Sequence, residues 1–169
     1  SPLVPLTDDD KEYLEETGVT VVLTRKDDSP LYKETDSNKK RGDMSTRIAI
    51  IEEADPAIVV SIHQNSYPDS SVSGPQVFYY SASKEGKSLA ETIQKSFSYA
   101  VEEKKIRTAK ANQDYYLLIH TPCPTVICEC GFLSNPEECA KLQQEEYQKK
   151  VAWSVYLGIM EYLNLPVNQ

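Results

Sequence analysis

Two polar side chains follow directly on apolar runs, and their chemistry is complementary. His63 stands in Ser61-Ile62-His63-Gln64-Asn65, and Glu129 in Val126-Ile127-Cys128-Glu129-Cys130-Gly131-Phe132. A carboxylate inside an apolar strand is costly to bury without a partner, so it is either paired or placed at a functional opening. In α/β sheets such openings gather at the carboxyl ends of strands. A His and a Glu at two strand ends suit a metal hydrolase. Neutral imidazole binds zinc, and a nearby carboxylate can take a proton from water and pass it to a leaving amine. Two plainer readings stand beside this one. His63 can be a hydrogen-bonded core histidine, and Glu129 can be salt-bridged to Arg47. His120, the other histidine, precedes a proline-rich turn and reads as a surface or supporting residue.

The elements that must position these residues alternate between strand and helix. Thr7 can cap a helix over residues 8–16, closed by Gly18, and Val19-Thr20-Val21-Val22-Leu23 has the β-branched density of a strand. Residues 24–42 read as a long polar loop containing Pro30 and the Lys39-Lys40-Arg41 run. Asp43 can cap a second helix striped by Met44, Ile48 and Ile51. Strands are expected over 57–62, 76–80, 115–118 and 125–130. Helices are expected over 87–101, from Asn135 to Leu142, and from Glu145 to Leu163. The expected fold is α/β and three-layered: a twisted, mostly parallel sheet of about five to six strands with helices on both faces.

Composition narrows the function classes. The chain has 169 residues and a formal charge of −8, with 40% hydrophobic and 26% charged residues. That is one ordinary globular domain by size and balance. A pI near 4.8 disfavours a general nucleic-acid binder, which needs a basic face. No apolar run approaches the length of a membrane span. Ser1 to Leu6 lacks the basic and apolar regions of a signal peptide. No glycine-rich phosphate loop, G-x-S-x-G elbow or H-E-x-x-H helix is present. The four cysteines, Cys123, Cys128, Cys130 and Cys139, include no C-x-x-C pair. Cys128 and Cys130 share one face of a strand and read as buried free thiols, while a disulfide involving Cys123 or Cys139 stays open.

Four segments taken in order resemble a known family. They are Gly18-Val19-Thr20-Val21-Val22-Leu23-Thr24-Arg25, Arg47 with Ala54-Asp55, Ser61-Ile62-His63-Gln64-Asn65, and Glu129-Cys130-Gly131-Phe132-Leu133-Ser134-Asn135. Together they resemble the zinc-dependent N-acetylmuramoyl-L-alanine amidases of the type 3 family, over roughly Glu12 to Leu163. The segments at 75–80 and 146–152 look closest to its spore-cortex branch. The resemblance implies hydrolysis of the amide between muramic acid and L-alanine of the stem peptide. It puts His63 on a zinc ligand and Glu129 on the catalytic carboxylate. It implies peptidoglycan glycan strands and stem peptides as substrate, an extracytoplasmic place in the cell envelope or forespore cortex, and room for an activating protein partner.

The pattern departs from the family at its start. The family opens with a strand and a G-H-G-G motif bearing a zinc-ligating His, followed by a ligating Glu at the head of the first helix. Counted back from Gly18, that Glu falls just before Ser1, and the motif is absent. The matched residues therefore include one recognisable ligand, His63, where catalytic zinc usually takes three. Asp8, Asp9, Asp10 and Glu12 read as ordinary first-turn carboxylates. The domain is expected to be a single amidase domain, residues 1–169, without the family's first strand. Such a chain is expected to self-associate or be weakly stable, because an unpaired sheet edge invites pairing. The alternative is a zinc-free relative or fragment that binds peptidoglycan or a protein partner without hydrolysis.

Overall fold

The computed structural model describes residues 3–24, 38–102, 104 and 106–167. Residues 25–37 fall outside that range, and with them most of the loop expected over 24–42. Helix α1 spans Leu3–Glu16. It closes where Gly18 adopts φ +87, with Val19 N–H donating to Leu14 O and Gly18 N–H to Glu15 O. That double closure is a Schellman cap, and the left-handed residue at its centre favours glycine. Because α1 starts before Thr7, Asp8–Asp10 are interior helix residues and not its first turn. Helix α2 spans Lys39–Ala54 and starts earlier than expected, because the Asn38 side chain accepts from Arg41 N–H. The Lys39-Lys40-Arg41 run is thus the first turn of α2 and not loop.

The sheet has four strands among the described residues: β1 (Val59–Asn65), β2 (Gln76–Tyr80), β3 (Lys110–Asn112) and β4 (Thr125–Phe132), in the order β1-β4-β2-β3. Pairings β1·β4 and β2·β3 are parallel, and β2·β4 is antiparallel. The count is lower than the sequence suggested for two reasons. Residues 19–23 carry no ladder among the described residues. Residues 115–118 turn into helix α4 (Tyr116–His120), because Asn112 Oδ1 accepts from both Asp114 N–H and Tyr115 N–H and bends the chain there.

Helices cover both faces. On one side, α1, α3 (Lys84–Ser96) and α6 (Glu145–Leu163) enclose Val77, Val126, Cys128 and Cys130 with Leu89, Ile93, Val155 and Ile159. On the other, α2 and α4 enclose Phe78 and Ile127 with Ile51, Leu117 and Leu118. Helix α5 (Pro136–Leu142) follows β4 directly. Alternation along β4 therefore sends Val126, Cys128 and Cys130 one way, and Ile127 and Glu129 the other. All four cysteines are free thiols, and burial pushes those of Cys128 and Cys130 up, which keeps them protonated packing groups. Tyr13 meets Trp153 edge to face at 5.2 Å and docks α1 on α6. No helix among the described residues is long and apolar enough to cross a membrane.

The approach of α6 to α3 depends on Gly158. A Cβ placed there would lie 2.6 Å from Ile93 Cα, so the helices would have to separate. Gly158→Val is expected to lower stability by about 1–3 kcal/mol through overpacking, read as a lower urea midpoint at unchanged slope.

Candidate active site

The parallel register pairs His63 on β1 directly with Glu129 on β4. The same register sets Ser61 beside Ile127, so Ser61, His63 and Glu129 share the face covered by α2 and α4. His63 Nε2 and Ser61 Oγ are 2.6 Å apart, which fixes the ring. Burial lowers the His63 pKa, and the charge of Arg47 lowers it further. Both causes favour neutral imidazole, the form that binds a metal or accepts a proton. Arg47 itself holds Asp43 at 3.1 Å on α2, so the alternative of an Arg47–Glu129 salt bridge is not what forms.

Glu129 is 9% exposed, and its Oε2 has no hydrogen-bond partner. Burial pushes its pKa from the usual 4.5 to about 7. A carboxyl poised there can both take and return a proton at neutral pH. Tyr115 packs edge-on against Phe78 at 5.5 Å, and its own pKa is raised by burial and by the charge of Glu129. His120 is exposed at the end of α4 and stacks on Tyr116 at 4.1 Å, outside this pair.

The loops beyond the strand ends are tied by residues whose role the sequence did not announce. Leu133 N–H donates to Asn65 O, Tyr67 N–H to Ser134 Oγ, and Asn135 Nδ2 to Ser70 O. Asn135 Oδ1 also caps α5 through Glu138 N–H. Glu138 is buried and accepts from Gly74 N–H at 2.9 Å and Phe132 N–H at 2.6 Å. A Cβ at Gly131 would sit 2.6 Å from Glu138 Oε1, so that carboxylate requires glycine there. Arg107 donates to Ser73 O at 2.8 and 3.0 Å while lying 5.3 Å over the Phe132 ring. The Asn135-Pro136-Glu137-Glu138 run carries the spacing of a helix cap, which was the available signal for Glu138.

A cavity of about 610 Å³ lies against β1 on the side away from β4, and His63 is among its lining residues. Residues 19–24 face β1 across it, with α1 contributing Asp10 and α2 contributing Arg47. Asp10 is a correction to the sequence reading: it is fully buried, both oxygens lack partners, and burial raises its pKa well above the usual value. Its i, i+4 relation to the core residue Leu14 was the signal for this. Asp8 and Glu12 are exposed. Among the described residues, no three His, Cys, Asp or Glu side chains group as a metal site. Those residues therefore do not by themselves fit a zinc centre.

The family model described as N-acetylmuramoyl-L-alanine amidase matches residues 5–161. The chain belongs to that amidase family. Among curated relatives, the germination-specific N-acetylmuramoyl-L-alanine amidase of Bacillus subtilis is 36% identical over 155 residues, covering 90% of this chain and 65% of that protein. Among solved structures, the CwlD amidase of Clostridioides difficile, determined in complex with the GerS lipoprotein, is 38% identical with a TM-score of 0.92, over 96% of this chain and 85% of that one. The catalytic domain of CwlV from Bacillus (Paenibacillus) polymyxa is 26% identical with a TM-score of 0.80, over 98% of this chain and 84% of that one. The chain thus spans just under two-thirds of its germination-specific relative's length. These matches support the spore-cortex branch within the amidase family.

Glu129 makes the amidase domain's stability depend on pH in a calculable direction. Its folded pKa of about 7 lies above the ordinary 4.5, so the folded state binds the proton more tightly. Stability is then highest below about 4.5, falls as pH rises, and has lost the whole contribution above about 7. Glu129→Gln is expected to flatten that fall. Urea unfolding of both proteins between those limits measures it, and an equal slope in the two would contradict the assignment.

Proposed function

We propose that this chain acts as an N-acetylmuramoyl-L-alanine amidase domain, cleaving the amide between the lactyl group of N-acetylmuramic acid and L-alanine of the stem peptide. The observation that carries the reading is the buried, unpartnered Glu129 beside His63 at adjacent strand ends. With its pKa near 7, Glu129 takes a proton from the attacking water and returns it to the departing α-amine of L-alanine. His63, held by Ser61 and biased to the neutral form, lies beside the reacting amide. Burial of the Glu129 side chain weakens solvent screening around its carboxyl.

Zinc dependence belongs to this proposal in a restricted form. Bound zinc would supply Lewis-acid polarisation of the scissile carbonyl. His63 is the one ligand the resemblance matches, and no group of three ligating side chains stands among the described residues. The domain reading is one amidase domain over residues 1–169.

The substrate is peptidoglycan, and the place of action is the cell envelope outside the cytoplasm. The germination-specific name of the Bacillus subtilis relative supports a role in spore cortex. The GerS-bound state of the CwlD neighbour supports a protein partner for this chain. A second reading is a zinc-free relative that binds peptidoglycan without cleaving it.

Two measurements separate the readings. Purified peptidoglycan incubated with the chain is expected to release peptides with new L-alanine amino termini, and Glu129→Gln to slow release about 10²- to 10⁴-fold. Elemental analysis is expected to find zinc in stoichiometric amount in the cleaving protein. Cosedimentation with peptidoglycan, without cleavage and without metal, would leave only the second reading.

A further inference from the structure

Helix α4 carries an apolar stripe that packing does not use. Leu117 and Leu118 turn inward, at 2 and 3% exposure, and pack with Ile51, Phe78 and Ile127. Tyr115, Tyr116 and Ile119 turn outward, at 38, 42 and 39% exposure. Helical spacing sets Ile119 one turn beyond both tyrosines, so the three form one continuous surface. Both rings are held in place. Tyr115 meets Phe78 edge to face at 5.5 Å, and its N–H donates to Asn112 Oδ1. Tyr116 stacks on His120 at 4.1 Å. Rigid, partly exposed tyrosines make contact surface at low entropic cost, and exposed apolar patches mark binding sites.

The stripe begins beside Glu129. The antiparallel register sets Phe78 against Ile127 and Gln76 against Glu129. Phe78, on which Tyr115 stands, is therefore one side-chain step of about 7 Å from the level of Glu129, on the same face. Burial, and then the charge of Glu129, raise the Tyr115 pKa, so phenol and carboxyl are near neighbours. The surface thus runs from Glu129 over Tyr115 to Tyr116 and Ile119.

Its chemistry selects an occupant. From Gln113 to Pro122 the acidic Asp114 is the one Asp, Glu, Lys or Arg, and it is exposed. A stem peptide carries carboxylates, which Asp114 and a chain charge of −8 disfavour here. A stable protein–protein interface takes about 20–30 residues a side, and this stripe offers three. A glycan strand is narrow, and it is uncharged where its lactyl groups are amidated. Its C–H faces suit the negative face of an aromatic ring, and its hydroxyls suit the phenol O–H.

We propose that the outer face of α4 binds the glycan strand of peptidoglycan, with Tyr115 and Tyr116 stacking on sugar rings that lead away from Glu129. The proposal rests on the amidase reading for the place of the muramic acid. It adds that α4 serves the glycan side of the scissile amide and not the stem-peptide side.

The test titrates the full chain with two probes. One is a peptide-free tetrasaccharide of alternating N-acetylglucosamine and N-acetylmuramic acid, its lactyl carboxyls capped as simple amides. The other is a free stem tripeptide. Binding is read from intrinsic fluorescence and from amide shifts over residues 115–120. Tyr116→Ala and Tyr115→Ala are each expected to weaken tetrasaccharide binding about tenfold, and Tyr115→Phe to stay within about twofold, because the ring remains. Tyr116 is exposed, so Tyr116→Ala is expected to keep the parent's urea midpoint, which separates a lost contact from a lost fold. No tetrasaccharide binding by the parent, or equal affinity in both alanine variants, overturns the proposal. Tripeptide binding that those variants weaken also overturns it, by assigning the stripe to the stem. A concentration-dependent dimer that they dissociate overturns it by assigning the stripe to a second copy. Neither probe needs to be cleaved, so tetrasaccharide binding that depends on α4 supports the proposal even where the amidase reading fails.

Discussion

The parallel pairing of β1 with β4 is the constraint on which the site depends. It is a ladder between a half-buried strand and a fully buried one, and its register sets His63 against Glu129. A slip of one residue would turn both side chains to opposite faces and exchange Glu129 for Cys128 or Cys130 in the α2/α4 layer. What prevents the slip is the apolar alternation of β4, with Val126, Cys128 and Cys130 packed against α3 and α6. The register shifts only beyond His63, where Asn65 pairs with Phe132. That irregularity releases the two strand ends into loops just past His63 and Glu129, and Asn65 O then receives Leu133 N–H.

Placing Glu129 there works against stability, and the surrounding structure offsets it locally. A buried carboxyl without a partner is held neutral more easily than charged, which is why its pKa rises. The neighbouring Glu138 has the opposite arrangement, with Gly74 and Phe132 amides on its oxygens. Each hydrogen bond to a charged group is worth about 1.5–3 kcal/mol. Glu138 thus anchors the turn that Glu129 leads into, and Arg107 pins the facing loop through Ser73. The exposed i, i+4 pairs, such as Lys11–Glu15 and Lys149–Glu145, are worth only about 0.3–0.5 kcal/mol each and do not decide the matter. The site is therefore stabilised by buried backbone-to-carboxylate contacts close to it.

The sequence made the pair legible because its signal is local: a His and a Glu terminating apolar runs. The layered α/β order, β1, β2, β4, α5 and α6 were legible for the same reason, since each carries its period in consecutive residues. Three features were not. Strand β3 is only Lys110–Asn112 and mostly exposed, too short to show alternation. Helix α4 reads as a strand from Tyr115-Tyr116-Leu117-Leu118, and only the Asn112 side chain, acting at a distance of three residues, turns it. Residues 19–23 have strand composition, yet a strand exists only where a neighbour supplies its ladder. Pairing is a tertiary property and does not appear in a single segment. Asp10 was misread for a related reason: its burial comes from α6 and the sheet, and only its spacing to Leu14 hinted at that.

The unmet groups are not scattered. Among the described residues, the buried side-chain atoms without partners belong to Asp10, Arg47 and Glu129, and all three border β1 or its neighbour β4. Native proteins satisfy nearly all such atoms, so three residues in one quarter of the fold form a pattern and not noise. The largest fully buried side chains pack where Gly158 lets α6 meet α3. Stability and chemistry are thus divided within one sheet. The β4–α3–α6 layer supplies apolar burial, while the β1 edge keeps polar groups poised and incompletely engaged. Local opening is drawn from the less satisfied parts of a structure. His63 and Glu129 lie at the boundary between the two, held by the apolar layer through β4 and bordering the cavity through β1.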